Sequence, residues 1–336
     1  MKGVLRNLLW GILALPSIMV HAQEPANRYL FRVYEDNDAM NLFDPGSDKG
    51  YTNGTRLDFF WVPRKAPFLS PLFPKAGAGS VNTHGWSAMQ MMITPDNILR
   101  RYPDPTDYPY SGGLFATRSL HSANPDRKIS FQSELLLGVM GPPALAEDMQ
   151  KLIHRIIAAQ PPRGWDYQKS TDLLLNYQFA VSKQLANMPA GMELIGHAQV
   201  NAGTMQNGAY ISTLFRWGKN MNPYFDGLIP QFSKDRQQAD RWQFYITIQP
   251  GAELMITNAL LDGGVFNDHP KQLQGANPYG EPGPIPTRRK LLGRLDFGAV
   301  LSHGNFGVTY TQKSTTPIYS GLQPQGLGNV SVYIAW

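Results

Sequence analysis

Two clusters of residues have the types and spacing to do chemistry. In the first, Glu35, Asp36, Asn37 and Asp38 place three carboxylates and an amide within four positions, followed closely by Lys49, Tyr51, Thr52 and Asn53. An oxygen-rich set of this kind suits Ca²⁺, which takes about six to eight oxygens and accepts carboxylate, amide and carbonyl donors. The spacing is not that of an EF-hand, because no glycine follows at the sixth position and no glutamate at the twelfth. A solvated loop tip with an Asx turn would use the same residue types. In the second cluster, Glu147, Gln150 and His154 recur at i, i+3 and i+7, which on a helix forms one polar stripe. A histidine among hydrogen-bonding partners can act as a general base on water. The remaining mature histidines (His84, His121, His197, His269 and His303) fall on expected strands or turns without such partners. No nucleophile elbow, paired-histidine zinc motif or phosphate loop is present, so a familiar serine-esterase arrangement is unsupported.

The second cluster sits on an expected helix within 141–168. Pro142 and Pro143 suit a first helical turn. Glu147 and Asp148 come early and Lys151 and Arg155 late, as the helix dipole favours. Pro161, Pro162 and Gly164 stop it. Leu145, Met149, Leu152, Ile153, Ile156 and Ile157 form its apolar face, so the segment reads as a packed amphipathic insertion.

Everything around that helix reads as β. Residues 1–22 form an export signal, with Lys2 and Arg6 ahead of an apolar run and a Val20-His21-Ala22 cleavage site. Its loss lowers the net charge from +5 to +3, and without a basic run no nucleic-acid partner is expected. An exported chain lacking cysteine must be stabilised by size, closed β-structure or lipid. No internal apolar run is long enough for a transmembrane helix. The last segment decides the class: Val330, Val332, Ile334 and Trp336 alternate with Ser331, Tyr333 and Ala335, a terminal strand closing on an aromatic residue as outer-membrane barrels do.

Alternating segments of similar length occur at 27–35, 53–62, 85–94, 111–121, 128–139, 172–187, 191–204, 208–218, 241–258, 288–302, 305–314 and 328–336. The expected fold over 23–336 is therefore all-β, a transmembrane antiparallel β-barrel of twelve strands with one short helix on the extracellular side. Strand parity puts the connections 36–52, 95–110, 140–171, 205–207, 259–287 and 315–327 outside the cell. Both chemical clusters then lie at the outer leaflet. Two connections assigned to the periplasm, 63–84 and 219–240, are longer than periplasmic turns usually are.

In order and spacing, several motifs together resemble the outer-membrane lipid A 3-O-deacylase family. They are Glu35-Asp36-Asn37-Asp38, the segment 47–54, Gly138 to Pro142, Gln150 to His154 and Gly164 to Gln168. The resemblance implies a multi-pass, monomeric barrel in the cell outer membrane, and a carboxylic ester hydrolase that uses Ca²⁺ to release the 3′-linked acyloxyacyl group of lipid A in lipopolysaccharide. It assigns His154 as base, Asn37, Asp38, Thr52 and Gln150 as further site residues, and Asp38 as a metal ligand. One departure stands out: the family commonly carries an acidic residue about six positions after the histidine, where this chain has Gln160. Either Glu147, Asp166 or an acid of the first loop is then expected to orient the imidazole, or the activity is altered. The alternatives are an outer-membrane phospholipase or a non-enzymatic porin or adhesin.

Overall fold

In a computed structural model, the described residues are 28–43, 49–65, 67–188, 191–226, 241–267 and 287–336. The signal segment 1–22, residues 47 and 48, and most of the connections 219–240 and 259–287 lie outside them. The twelve expected strands form a closed antiparallel barrel in sequence order, β1 pairing with both β2 and β12. They are β1 Tyr29–Asn37, β2 Gly50–Trp61, β3 Val81–Thr94, β4 Ser111–Asn124, β5 Ile129–Met140, β6 Asp172–Met188, β7 Met192–Gly203, β8 Gln206–Lys219, β9 Gln243–Asn258, β10 Leu291–His303, β11 Phe306–Thr315 and β12 Gln325–Ala335. Closure leaves no open edge, which a lipid-embedded sheet requires.

Alternation sorts the wall. On β1, Leu30 and Asp36 are buried in the lumen, while Tyr29, Phe31 and Val33 are exposed on the lipid side. Register carries the lipid face from Phe31 to Phe59, Trp86 and Ile334. Trp61, Trp86, Trp217, Trp242 and Trp336 all lie toward the end that holds the chain terminus. There Tyr29, Phe59 and Trp336 stack within about 6 Å of one another, forming an aromatic girdle.

The lumen is closed toward one end and holds a cavity of about 440 Å³ lined by Arg32, Gln132, Arg216, Gln249 and Lys313. Arg32 and Arg56 both pair with Asp58 at 2.7 Å, and Arg56 also reaches Glu134 at 2.6 Å. Across the barrel Arg216 pairs with Glu193 at 2.7 Å. Toward the loop-rich end, Tyr108, Leu260, Leu261, Ile318 and Tyr319 join Phe115, Met140 and Leu174 in one apolar core. This plug includes the short helix α2, Ala259–Asp262. Such packing across the outer mouth does not suit an open porin.

The two long periplasmic connections are not simple turns. Residues 67–80 fold back onto the lipid side of the wall, where Ala76 N–H bonds to Ser122 at 2.9 Å and Asn124 donates to the Ala78 carbonyl at 2.9 Å. Beneath them Arg118 is buried among Trp61, Phe73 and Trp86. Residues 220–226 turn inward, with Asn222 accepting from Arg216 at 2.9 Å and Phe225 buried. Their length reflects packing against the barrel.

Candidate functional site on the lipid side of the wall

The expected helix is shorter than its sequence pattern and is interrupted at both ends. Pro142–Ala144 form a 3₁₀ turn, Leu145 follows at φ +57°, and α1 spans Ala146–Ile156. It stops ahead of the prolines because Ala158 turns left-handed at φ +55°. Ala159 N–H then bonds to the His154 carbonyl at 2.8 Å and Ala158 N–H to Arg155 at 3.4 Å, a Schellman closure with alanine where glycine is usual. Gly141, at φ +79°, begins the excursion, and a Cβ there would lie 2.8 Å from the Lys169 carbonyl oxygen.

α1 packs on the outside of the barrel, against β3 and β4. Gly112 makes this possible: a Cβ on it would come within 2.5 Å of the Ala146 Cβ. Gly112 has the same parity as Arg118 on β4, and Arg118 faces Trp86 on the lipid side. The side of α1 against the wall carries Ala146, Gln150 and His154, all buried. The expected apolar face is turned away from the protein, with Ile156 and Ile157 69% and 64% exposed. The packing is therefore the reverse of the expectation from sequence, because hydrophobic periodicity identifies two faces without saying what surrounds the element.

His154 Nδ1 lies 2.6 Å from the Gln160 backbone carbonyl. A carbonyl oxygen can only accept, so Nδ1 carries the proton and Nε2 is the basic nitrogen. Of the expected carboxylate orienters, Glu147 forms an ion pair with Lys151 and Asp166 is exposed. The Schellman turn is what brings the Gln160 carbonyl back onto the ring. Gln150 Oε1 accepts from Trp165 Nε1 at 2.7 Å, which fixes the amide orientation. Its Nε2 is then a buried donor without an acceptor among the described residues. Trp165 is itself held by Tyr110, with ring centroids 4.8 Å apart, in a small core with Met92, Ile98 and Ala146.

The acidic cluster is divided by strand alternation. Glu35 faces outward and is bonded by Asn53 and Thr55. Asp36 faces the lumen and accepts from Tyr34 at 2.9 Å, Tyr51 at 3.1 Å, Lys313 at 3.0 Å and Asn329 at 2.9 Å. Three adjacent carboxylates therefore do not form one site. Asn37 ends β1 and caps the next turn through the Ala39 amide at 2.8 Å. Asp38 begins that turn, buried, and accepts from Lys49 N–H at 3.2 Å. Thr52 is the extra residue of a β-bulge in β2. The bulge lets it share a 2.6 Å hydrogen bond with Thr94 at the end of β3.

The structure thus places all five expected residues at the loop-rich end of four neighbouring strands, β1–β4, in two groups. Asn37, Asp38 and Thr52 occupy the β1–β2 rim, and Gln150 and His154 face the wall over β3–β4. Four strands abreast span about 14 Å. Reasoning from sequence missed the Gln160 carbonyl, Trp165 as an orienting donor, and Thr94. Trp165 lay within a recognised motif, whereas a backbone carbonyl leaves no signal in residue types. In the adjoining segment 95–110, the Thr106 hydroxyl and amide hold the Asp104 carboxyl below its ordinary range, while burial pushes Asp107 up.

A closed twelve-stranded barrel, plugged at its loop-rich end and carrying a polar cluster on its lipid-facing side, has the architecture of an outer-membrane protein. Residues 8–336 match the model of the outer membrane protein LpxR family, and the chain belongs to that family. LpxR from Salmonella typhimurium shares the fold, with a TM-score of 0.70 at 14% identity over 91% of this chain and 100% of that one. The β domain of the Bordetella autotransporter BrkA is similar to a lesser degree, with a TM-score of 0.46 at 8% identity, covering 93% of this chain and 99% of that one. No curated protein matches in sequence.

Proposed function

We propose that this protein hydrolyses the 3′-linked acyloxyacyl ester of lipid A in the outer leaflet, with His154 as general base. The observation that carries the reading is the His154–Gln160 contact. It presents Nε2 as a base on the side of the wall that lipid reaches. His154 Nε2 takes a proton from water as the water oxygen attacks the ester carbonyl. The Gln160 carbonyl accepts from Nδ1–H throughout and so favours the imidazolium that forms. The Gln150 Nε2–H, preset by Trp165, is available to an ester or phosphate oxygen of the substrate. Proton return from His154 to the departing alkoxide completes hydrolysis.

The donor set suits Ca²⁺ better than a transition metal. Among the described residues there is no group of three or more His, Cys, Asp or Glu side chains poised for a metal. A site here would rest on the Asp38 carboxylate with neutral oxygens of Asn37, Thr52 and nearby carbonyls, which calcium accepts. When bound, the ion would supply positive charge for the developing oxyanion.

Purified protein given lipopolysaccharide should release an acyloxyacyl chain and lose that activity in chelator, with recovery on adding Ca²⁺. It should leave glycerophospholipid intact. Cleavage of phospholipid alone would replace this reading with a phospholipase, and turnover unaffected by chelator would remove the metal from it.

A further inference from the structure

α1 is three-sided. At about 100° per residue its residues fall into three groups centred about 120° apart. Ala146, Gln150 and His154 face the wall. Glu147, Asp148, Lys151 and Arg155 form a charged side, on which Lys151 pairs with Glu147. Met149, Leu152, Ile153 and Ile156 form an apolar side, and all four are exposed. A helix packed on a water-soluble protein would have two sides, one apolar and buried, the other polar and wet. Three sides match three surroundings: protein, water and a third phase that is apolar.

The position of the helix supplies that phase. Its contact residue Gly112 is on the lipid-facing parity of β4. Two residues further along β4, Leu114 is level with Val139 and, across β5, with Leu173, which is 62% exposed. Leu137 and Leu175, one step below, are also exposed. The apolar belt of the barrel therefore reaches the level at which α1 rests, and the apolar side of α1 continues it.

We infer that α1 is an interfacial helix whose Met149, Leu152, Ile153 and Ile156 side is immersed in the acyl chains of the outer leaflet. Its charged side lies among headgroups. Lipid contact would press the helix onto the wall, where Gly112 admits it. The inference rests on outer-membrane location and on packing, independent of the reaction proposed above.

The chain contains no cysteine, so single-cysteine labelling is clean. Ile153→Cys, Ile156→Cys and Asp148→Cys would each carry an environment-sensitive fluorophore, with the full-length barrel folded into phospholipid vesicles containing lipopolysaccharide. Heat-modifiable migration verifies the fold of each variant. Labels at 153 and 156 should emit to the blue of the label at 148. Acyl-brominated phospholipid should quench them at least about twofold more strongly, and aqueous iodide correspondingly less. Equal iodide quenching at all three positions would overturn the inference. Shielding of 153 and 156 from both quenchers would also overturn it, assigning the face to a protein partner such as a second copy or the segment 268–286.

Discussion

Asp36 and Asp38 are two residues apart, both buried, and treated oppositely by the fold. Asp36 looks into the lumen and is surrounded by donors from Tyr34, Tyr51, Lys313 and Asn329, drawn from four strands. Asp38 lies past the strand end, at the rim shared with Asn37 and Thr52. The contrast extends to the wall as a whole. On the lumenal side, Arg32, Asp58, Arg56 and Glu134 are joined in that order by a chain of ion pairs. On the lipid side, Gln150 keeps a buried donor unspent and the His154 ring is held at Nδ1 by a backbone carbonyl. Burying an unpaired polar group costs about 1–3 kcal/mol, and the lumenal Tyr210, Arg294 and Asp296 each keep such an atom as well. The lumenal network holds the barrel; the lipid-side cluster is the one we propose meets a ligand.

Substitutions can break this comparison, the largest effect coming from the base. His154→Ala should lower acyl release by about 10²–10⁴-fold, the usual worth of a general base, while heat-modifiable migration shows an intact barrel. Asp38→Asn should reduce turnover nearly as far, with added Ca²⁺ restoring part of it. Asp36→Asn should do the converse. It leaves Lys313 buried without its counter-charge, at a cost of about 3 kcal/mol in urea unfolding from vesicles, and turnover per folded molecule changes far less than for Asp38→Asn. Gln150→Ala should cost about 10²-fold in turnover if its Nε2 meets charge developing in the transition state, and about 1–3 kcal/mol in unfolding, because the buried Trp165 Nε1–H loses its acceptor. The smallest effects sit at the helix end. Ala158→Gly should stabilise the fold by about 1 kcal/mol by relieving a left-handed alanine. Gln160→Ala should keep turnover within about twofold, because the anchor is its carbonyl and not its side chain.

Most of the barrel was legible because a wall between lipid and lumen imposes a period of two on every strand. Where the reading fell short, a local feature had disturbed that period. β2 begins at Gly50, ahead of the expected 53, because the bulge at Thr52 breaks the alternation. β12 begins at Gln325, ahead of 328, where Gly326 and Gly328 give no hydropathy signal. A Cβ on Gly328 would lie 2.1 Å from the Met40 carbonyl, so that close approach of two backbones is why glycine stands there. The site was legible in its residue types and less so in its wiring. Glu35, Asp36 and Asp38 look like one acidic cluster until alternation divides them. Gln160 looks like the loss of an acid until the capping turn presents its carbonyl. The orientation of α1 was hidden for a different reason: amphipathicity is symmetric with respect to which side meets protein.

The central claim is that the lipid-side cluster, and His154 within it, acts on lipid A. Mass spectrometry of lipid A from Gram-negative cells expressing the wild-type protein, beside cells expressing His154→Ala at equal levels of folded barrel, tests it most directly. The wild type should convert the parent ion to one lighter by a single acyloxyacyl group, and the variant should leave the parent ion unchanged. An unaltered spectrum with the wild type, or the same loss with the variant, would contradict the account.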